Sequence, residues 1–243
     1  MKRAISVLLV VLLVIASTLL LVACNGGIKS ADDWGSAIDY YKTCDAVTIK
    51  IEDNNLHMNY IHDKERLKSN LEVSFNAEKG MVFVSMDCSR HDFWGTKVSG
   101  STYEKYYVQD GVKVYCYSRR LSEHTTEDWT VDNATLFDSE EDAASFLREQ
   151  YLHPVDVDGN EFPSLLELNY AEFSAKMFGK FERKNSDNRF NYTYVVNFSK
   201  GKPTKYTYQH KAHGGNVDDT RKFSMTIKYS ADISLPTDVP DVN

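Results

Sequence analysis

The fold of this chain is decided by a stretch near its C-terminal end, Phe190-Asn191-Tyr192-Thr193-Tyr194-Val195-Val196-Asn197-Phe198-Ser199. Every second residue is aromatic or aliphatic, and the residues between them are mostly polar. Successive side chains of a β-strand point to opposite faces of the sheet, so this alternation predicts a strand with one covered and one solvated face.

The same period of two returns twice before the chain ends. Its apolar positions are Tyr206, Tyr208, Phe223, Met225, Ile227 and Tyr229. A turn is expected at Gly201 to Pro203, directly after the first strand. The last third of the chain therefore predicts a group of antiparallel, amphipathic strands.

Earlier parts of the chain carry similar signals. Alternation at Val47, Ile49 and Ile51 predicts a strand, and Asp53-Asn54-Asn55 predicts a turn into a further strand at residues 56–60. Other strands are expected at residues 71–75, 81–86, 103–108, 112–118 and 125–131. Asp110-Gly111 is a strong hairpin signal between two of these strands.

Two segments have helical periodicity instead. From Asp32 to Thr43 apolar residues recur on one helix face, and Asp32 or Asp33 is the expected N-terminal cap. A second helix is predicted from Asp138 to Leu152, with Asp138 and Glu141 resembling a capping box. The irregular stretch from His153 to about Tyr170 is expected to be a covering loop or a short helical turn.

These elements predict an α+β, β-rich fold. No Pro-rich or Ser-rich linker divides the interior, so we expect one domain at residues 34–236 and a C-terminal tail at residues 237–243. A chain of this length can bury a substantial core as a single domain.

The chain begins with the layout of a secretory signal. Lys2-Arg3 is followed from Val7 to Val22 by an apolar run without charge, as in exported proteins. The alternative is a membrane-spanning helix, because a span needs about 20 apolar residues and this run is only slightly shorter.

The end of the apolar run favours the signal. Leu21-Val22-Ala23-Cys24 resembles the lipobox of bacterial lipoproteins, in which a small residue precedes a cysteine that is lipidated before cleavage. The resemblance implies a signal peptide at residues 1–23, acyl chains such as palmitate on Cys24, and a short tether over residues 24–33. The protein would then be exported and anchored to the outer face of the bacterial cell membrane, since two or three acyl chains hold a protein stably.

The order of the predicted elements is similar to that of a group of envelope lipoproteins. Two phrases carry the similarity: residues 106–115, Tyr-Tyr-Val-Gln-Asp-Gly-Val-Lys-Val-Tyr, and the strand from Phe223 that leads to Ile233-Ser234-Leu235-Pro236. Over most of residues 31–236 the chain resembles the LolA/LprG-like group. The resemblance implies a curved antiparallel sheet, an incomplete barrel, which wraps around the N-terminal and mid-chain helices and leaves space for acyl chains.

The covered face of the last strands is the first candidate for a binding site. We expect a lipid or another apolar ligand in a cavity lined by Phe190, Tyr192, Tyr194, Phe198, Tyr206, Phe223 and Tyr229. Alternatively, these side chains form a packed core, as aromatic stripes on strands usually do. The protein would then be an interaction or accessory module of the envelope that recognises a protein or a cell-wall component and holds no small molecule.

Charge and motifs narrow the remaining classes of function. The net charge is −7, and loss of Lys2 and Arg3 makes the mature domain more acidic, which disfavours nucleic acid as a partner. The sequence lacks the Gly-x-Ser-x-Gly, His-Glu-x-x-His and phosphate-binding glycine motifs. We therefore expect a non-catalytic protein without cofactor or metal. Cys44, Cys88 and Cys116 form either one disulfide and a free thiol or three thiols.

Overall fold

The structure is a computed structural model, and it describes residues 27–58, 64–92, 96–122, 125–177, 179–212 and 220–240. The expected signal peptide at residues 1–23 and the expected lipidation site Cys24 lie outside the described residues. No helix in the described part of the chain is long and apolar enough to cross a membrane.

One antiparallel sheet of twelve strands dominates the described residues. The strands are β1 (Ala46–Met58), β2 (Lys64–Asn76), β3 (Met81–His91), β4 (Lys97–Asp110), β5 (Lys113–Ser122), β6 (Thr130–Val131), β7 (Thr135–Leu136), β8 (Ala175–Met177), β9 (Lys180–Ser186), β10 (Phe190–Ser199), β11 (Lys202–Ala212) and β12 (Thr220–Lys228). Their order is β6-β5-β4-β3-β2-β1-β12-β11-β10-β9-β8, and β7 pairs with β5. The sheet is not closed into a barrel, and the predicted α+β, β-rich class is confirmed.

The sheet consists of two meanders joined by the first and last long strands. β1 pairs with β2 on one side and with β12 on the other. The register places Ile49 opposite Ile227 and Ile51 opposite Met225, so apolar side chains from both meanders share one face. We call this covered side of the sheet the inner face.

Two helices, α1 (Ala31–Thr43) and α2 (Glu140–Leu152), pack on the inner face in a single apolar core. They meet through Tyr41 and Tyr151, whose rings are 5.7 Å apart. The Tyr151 hydroxyl lies 2.9 Å from the carbonyl oxygen of Lys42, to which it donates. This contact satisfies an otherwise unpaired carbonyl at the end of α1. Short 3-10 turns follow at Leu165–Glu167 and Tyr170–Glu172.

The helix caps differ from those expected. Ser30, not Asp32 or Asp33, caps α1: its hydroxyl accepts from the Asp33 amide at 3.1 Å, while the Asp33 carboxylate accepts from the amides of Ser30 and Lys29. Ser139, not Asp138, caps α2 by accepting from the amide of Asp142. A hydroxyl in the cap position satisfies an unpaired amide of the first turn, and the acidic residue then belongs inside that turn.

The domain begins earlier than the expected tether allows. Ile28 is buried in the core. A Cβ atom on Gly27 would lie 2.8 Å from the Gly201 nitrogen, so the backbone there is already packed against the turn between β10 and β11. Within residues 24–33, the part that the structure describes is therefore fixed to the domain.

The turn expected at Asp53-Asn54-Asn55 is wrong, because β1 continues through these residues to Met58. Asp53 is on the inner face and is 8% exposed, and it stays in the strand because Arg221 of β12 neutralises its charge. The strand expected at residues 125–131 is shorter in the structure, where the strand β6 covers Thr130–Val131. Trp129 is buried beside it.

The three described cysteines are all thiols. Cys44 is buried, and Cys88 and Cys116 are half-buried. Of the two alternatives left open by the sequence, the structure contains the one without a disulfide.

Candidate functional site

Three adjoining cavities lie on the inner face of the sheet, beneath the segment that follows α2. We name them for their contents: the apolar cavity, with a volume of about 360 Å³, the arginine cavity, also about 360 Å³, and the ion-pair cavity, about 260 Å³. Asp156 and Asp158 line all three. The three cavities therefore adjoin one another, and we call them together the trough, which extends across strands β5 to β1 and reaches β12.

The floor of the apolar cavity comes from β2, β3 and β4. Its residues are Leu71, Val73, Val84, Met86, Tyr103 and Tyr107. Antiparallel register brings them together, since Leu71 pairs with Met86 and Met86 pairs with Tyr103. Burial raises the pKa of the Tyr107 hydroxyl, as expected for a phenol removed from water.

The rim of the apolar cavity is polar. Lys105 contributes from β4, Gln150 from the last turn of α2, and His153 from the residue that ends this helix. An apolar floor with a few polar groups at its edge is the usual composition of a small-molecule site.

The roof of the trough is a small hairpin at Pro154–Phe162, which we call the lid hairpin. It is closed by a backbone bridge between Val155 and Glu161. One carboxylate oxygen of Asp156 accepts hydrogen bonds from the amides of Asp158, at 2.9 Å, and Asn160, at 2.8 Å. This is the Asx-turn chemistry that fixes a tight loop without apolar packing.

Two apolar side chains of the lid hairpin are open to solvent. Val155 is 43% exposed and Val157 is 44% exposed, and both line the apolar cavity. The roof and the floor of the apolar cavity therefore both contribute hydrocarbon surface to it.

The arginine cavity lies beside the apolar cavity and shares Tyr103 with it. Arg120 of β5 places its guanidinium carbon 5.4 Å from the centre of the Tyr103 ring and donates to the Ser101 hydroxyl at 3.1 Å. Cys88 lines the same space. Burial raises the pKa of its thiol, and the Asp156 and Asp158 carboxylates, which line the same cavity, raise it further.

The ion-pair cavity is named for Asp53 and Arg221. The Arg221 guanidinium donates from Nε to both carboxylate oxygens of Asp53 at 3.0 Å, and from Nη2 to Oδ2 at 2.6 Å. Charge-assisted bonds of this type are stronger than neutral ones. The pair cross-links β1 and β12 at the point where the two meanders join.

None of the seven aromatic residues predicted as cavity lining borders these three cavities. Phe198, Tyr206 and Phe223 are buried. Phe198 packs against Trp34 of α1 with ring centres 4.9 Å apart, and Phe223 lies 5.5 Å from Tyr206. In this half of the interior, aromatic rings of α1 and of the segment after α2 pack against the sheet, as Phe162 does against Phe223.

The other four residues of the predicted lining are partly exposed. Phe190, Tyr192 and Tyr194 stand at one end of the inner face, where the Tyr194 ring is 5.0 Å from that of Tyr208. Burial raises the pKa of Tyr208 to about 12. Tyr229 follows β12 and donates from its hydroxyl to the carbonyl oxygen of Pro203 at 2.9 Å.

Sequence reasoning missed the residues that line the actual cavities. The sequence predicts strands at residues 71–75 and 81–86 and a covering loop after His153. No local signal predicts that this loop folds back over those strands. Within the described ranges, no group of three or more His, Cys, Asp or Glu side chains is arranged to hold a metal ion.

Comparison with known proteins gives no relative. No family model matches the chain, and no curated protein matches it.

Proposed function

We propose that this protein is an exported, non-catalytic lipoprotein, anchored through a lipid on Cys24, whose domain binds an apolar or amphipathic ligand in the apolar cavity. The observation that carries the binding proposal is the cavity of about 360 Å³ between the sheet, the end of α2 and the lid hairpin. Ligand sites commonly have volumes of about 300–1,000 Å³.

The lid hairpin supports the same proposal. Exposed valines keep apolar surface in contact with water, and a hydrocarbon ligand would remove that surface from water. A hydrocarbon chain between Val157 and Val84 would bury apolar surface on both sides, at roughly 25 cal/mol per Å².

The binding proposal is tested by filling the cavity. Val84→Trp places a large ring among the floor residues, and Ser85→Trp is the matched control, since the neighbouring side chain of β3 points to the opposite face. We expect a fluorescent fatty acid to bind the unchanged protein and Ser85→Trp equally, and Val84→Trp at least tenfold more weakly. Urea unfolding of each variant separates loss of binding from loss of fold.

Mass spectrometry of organic extracts gives an independent measurement. We expect lipid to co-purify with the full-chain protein and with Ser85→Trp, and to be depleted from Val84→Trp. Absence of co-purified lipid together with absence of fatty-acid binding would contradict the proposal.

The anchor is tested by Cys24→Ser. The proposal expects this variant to lose membrane retention after export and to take up no labelled palmitate analogue. Continued tight membrane association without label would instead indicate an uncleaved apolar helix.

A further inference from the structure

The arginine cavity points to the class of ligand. We propose that the trough binds a single-chain zwitterionic amphiphile, with its hydrocarbon chain in the apolar cavity and its headgroup in the arginine cavity. This inference rests on the proposed function, because it requires the apolar cavity to hold a hydrocarbon chain.

The apolar cavity is large enough for a hydrocarbon chain, since its volume of about 360 Å³ lies within the range of about 300–1,000 Å³ that is usual for ligand sites. We assign one chain to it because one chain is the least that connects the apolar floor to a headgroup in the arginine cavity.

The two cavities are placed as a chain and a headgroup require. They share Tyr103 on the floor and Val157 on the roof. The two cavities are therefore neighbours, and we place the chain of a linear molecule in one and its polar end in the other. Its polar end then lies among the Ser69, Ser101 and Cys88 side chains of the arginine cavity.

The arginine cavity carries charges of both signs on opposite walls. Arg90 and Arg120 belong to the sheet, and Asp156 and Asp158 belong to the lid hairpin. The Asp156 carboxylate is already engaged by amides of its own hairpin, so Asp158 is the acidic group that we assign to a ligand cation. Arg120 has a neutral partner in Ser101, which leaves its charge for a ligand anion.

This charge pattern selects among headgroups. An anionic headgroup alone meets Asp158, and a cationic one alone meets Arg120, so each carries a repulsive contact as well as an attractive one. A zwitterion with its anion toward Arg120 and its ammonium toward Asp158 satisfies both walls. A neutral headgroup gains neither contact.

Cys88 reports on occupancy of the arginine cavity. The experiment uses the full-chain Cys116→Ser variant in lipid nanodiscs. Of the cysteines in the described residues, this variant keeps the half-buried Cys88 and the buried Cys44, so Cys88 is the thiol that a reagent reaches. The probes are four ten-carbon amphiphiles whose headgroups are phosphoethanolamine, phosphate, ammonium and glycerol. The measured quantity is the probe concentration that halves the rate of Cys88 labelling, with Val84→Trp as the control for nonspecific partition into the nanodisc.

We expect the phosphoethanolamine probe to protect Cys88 at the lowest concentration. In Arg120→Gln, the concentration of the phosphoethanolamine probe that halves Cys88 labelling should rise about two- to fivefold, as expected for loss of one partly exposed charge pair. This probe should then protect Cys88 no better than the ammonium probe does. In Asp158→Asn, the phosphoethanolamine probe should protect Cys88 no better than the phosphate probe does. The matched controls, Lys50→Gln and Asp39→Asn, change charge outside the trough and should alter nothing.

The outcomes separate this inference from the proposed function. Equal protection by the glycerol and phosphoethanolamine probes, or an unchanged ranking in both charge variants, would overturn the zwitterion inference and leave the apolar site standing. Failure of all four probes to protect Cys88 in the protein with an open cavity would overturn both.

Discussion

Replacement of Asp53 by Ala tests how the two meanders are held together. The change removes the carboxylate that accepts three hydrogen bonds from Arg221. The guanidinium between β1 and β12 then loses the carboxylate that it contacts directly, although Asp156 and Asp158 still line the same cavity. Its side chain is 23% exposed, and that of Asp53 is 8% exposed.

The expected magnitude follows from this partial burial. Removing one partner of a fully buried pair costs about 3–5 kcal/mol, and an exposed pair contributes about 0.2–1 kcal/mol. Since water reaches part of the Arg221 side chain, we expect Asp53→Ala to lower the free energy of unfolding by about 2–3 kcal/mol. For a domain of this size that corresponds to a fall in Tm of roughly 4–12 °C.

The assay is urea unfolding followed by the fluorescence of the buried Trp34 and Trp129. Arg221→Met and the double variant complete a double-mutant cycle, in which the double variant should be more stable than the sum of the single changes allows. Additive single changes, or a loss below about 0.5 kcal/mol for Asp53→Ala, would refute the reasoning.

A matched control lies on the outer face of the same strand. Lys50 and Glu72 form an ion pair at 2.8 Å, but their side chains are 64% and 38% exposed. Lys50→Ala should therefore change stability by no more than about 0.5 kcal/mol.

Three further predictions concern a turn, a cap and the tyrosines. Lys200 has φ 52° and precedes Gly201 at φ 72° in a two-residue turn of the I′ kind, so Lys200→Gly should raise the unfolding free energy by about 0.5 kcal/mol in urea titrations, while Lys200→Ala should not. The pKa of Asp33 is lowered by the Lys29 amide and the Ser30 hydroxyl, so its contribution to the start of α1 is present above the unfolded pKa and lost as pH falls through the lowered one. The protection of the Ser30 amide from exchange, measured relative to an unstructured peptide at the same pH, should therefore fall in acid, and Asp33→Asn should abolish that change in protection. Burial raises the pKa of Tyr208 to about 12, so the contribution of its neutral hydroxyl to stability is present below pH 10 and lost as pH rises toward 12. Ultraviolet titration at pH 11 should find this tyrosine un-ionised until urea is added. Complete ionisation of all 15 tyrosines near pH 10 would contradict this.

The regular strands were predictable because their signal is local. Residues 190–199 alternate in the sequence and form β10 in the structure, since one face packs and the other is solvated. β9 was missed because Phe181 is its one buried residue, and the others give no alternating pattern.

The errors have a long-range cause. The residues around Asp53 are typical of a turn, yet Asp53 stays in β1 because Arg221 pairs with it. Arg221 is 168 residues away in the sequence, so no local pattern predicts this contact. The candidate site is equally non-local, because the lid hairpin meets strands that precede it by many residues. Local sequence patterns predict the positions of strands and helices, whereas contacts between distant elements determine where the cavity lies.

The adjacency of β1 and β12 matters for how the chain is made. One edge of β1 acquires its neighbour only when residues 220–228 have been synthesised, on the order of 10 s after β1 itself at typical elongation rates. During that interval the apolar strand with Val47, Ile49 and Ile51 offers unpaired amides and carbonyls to any other chain. The newborn polypeptide is then most prone to self-association, and a premature stop before Thr220 would leave that edge open for the lifetime of the product.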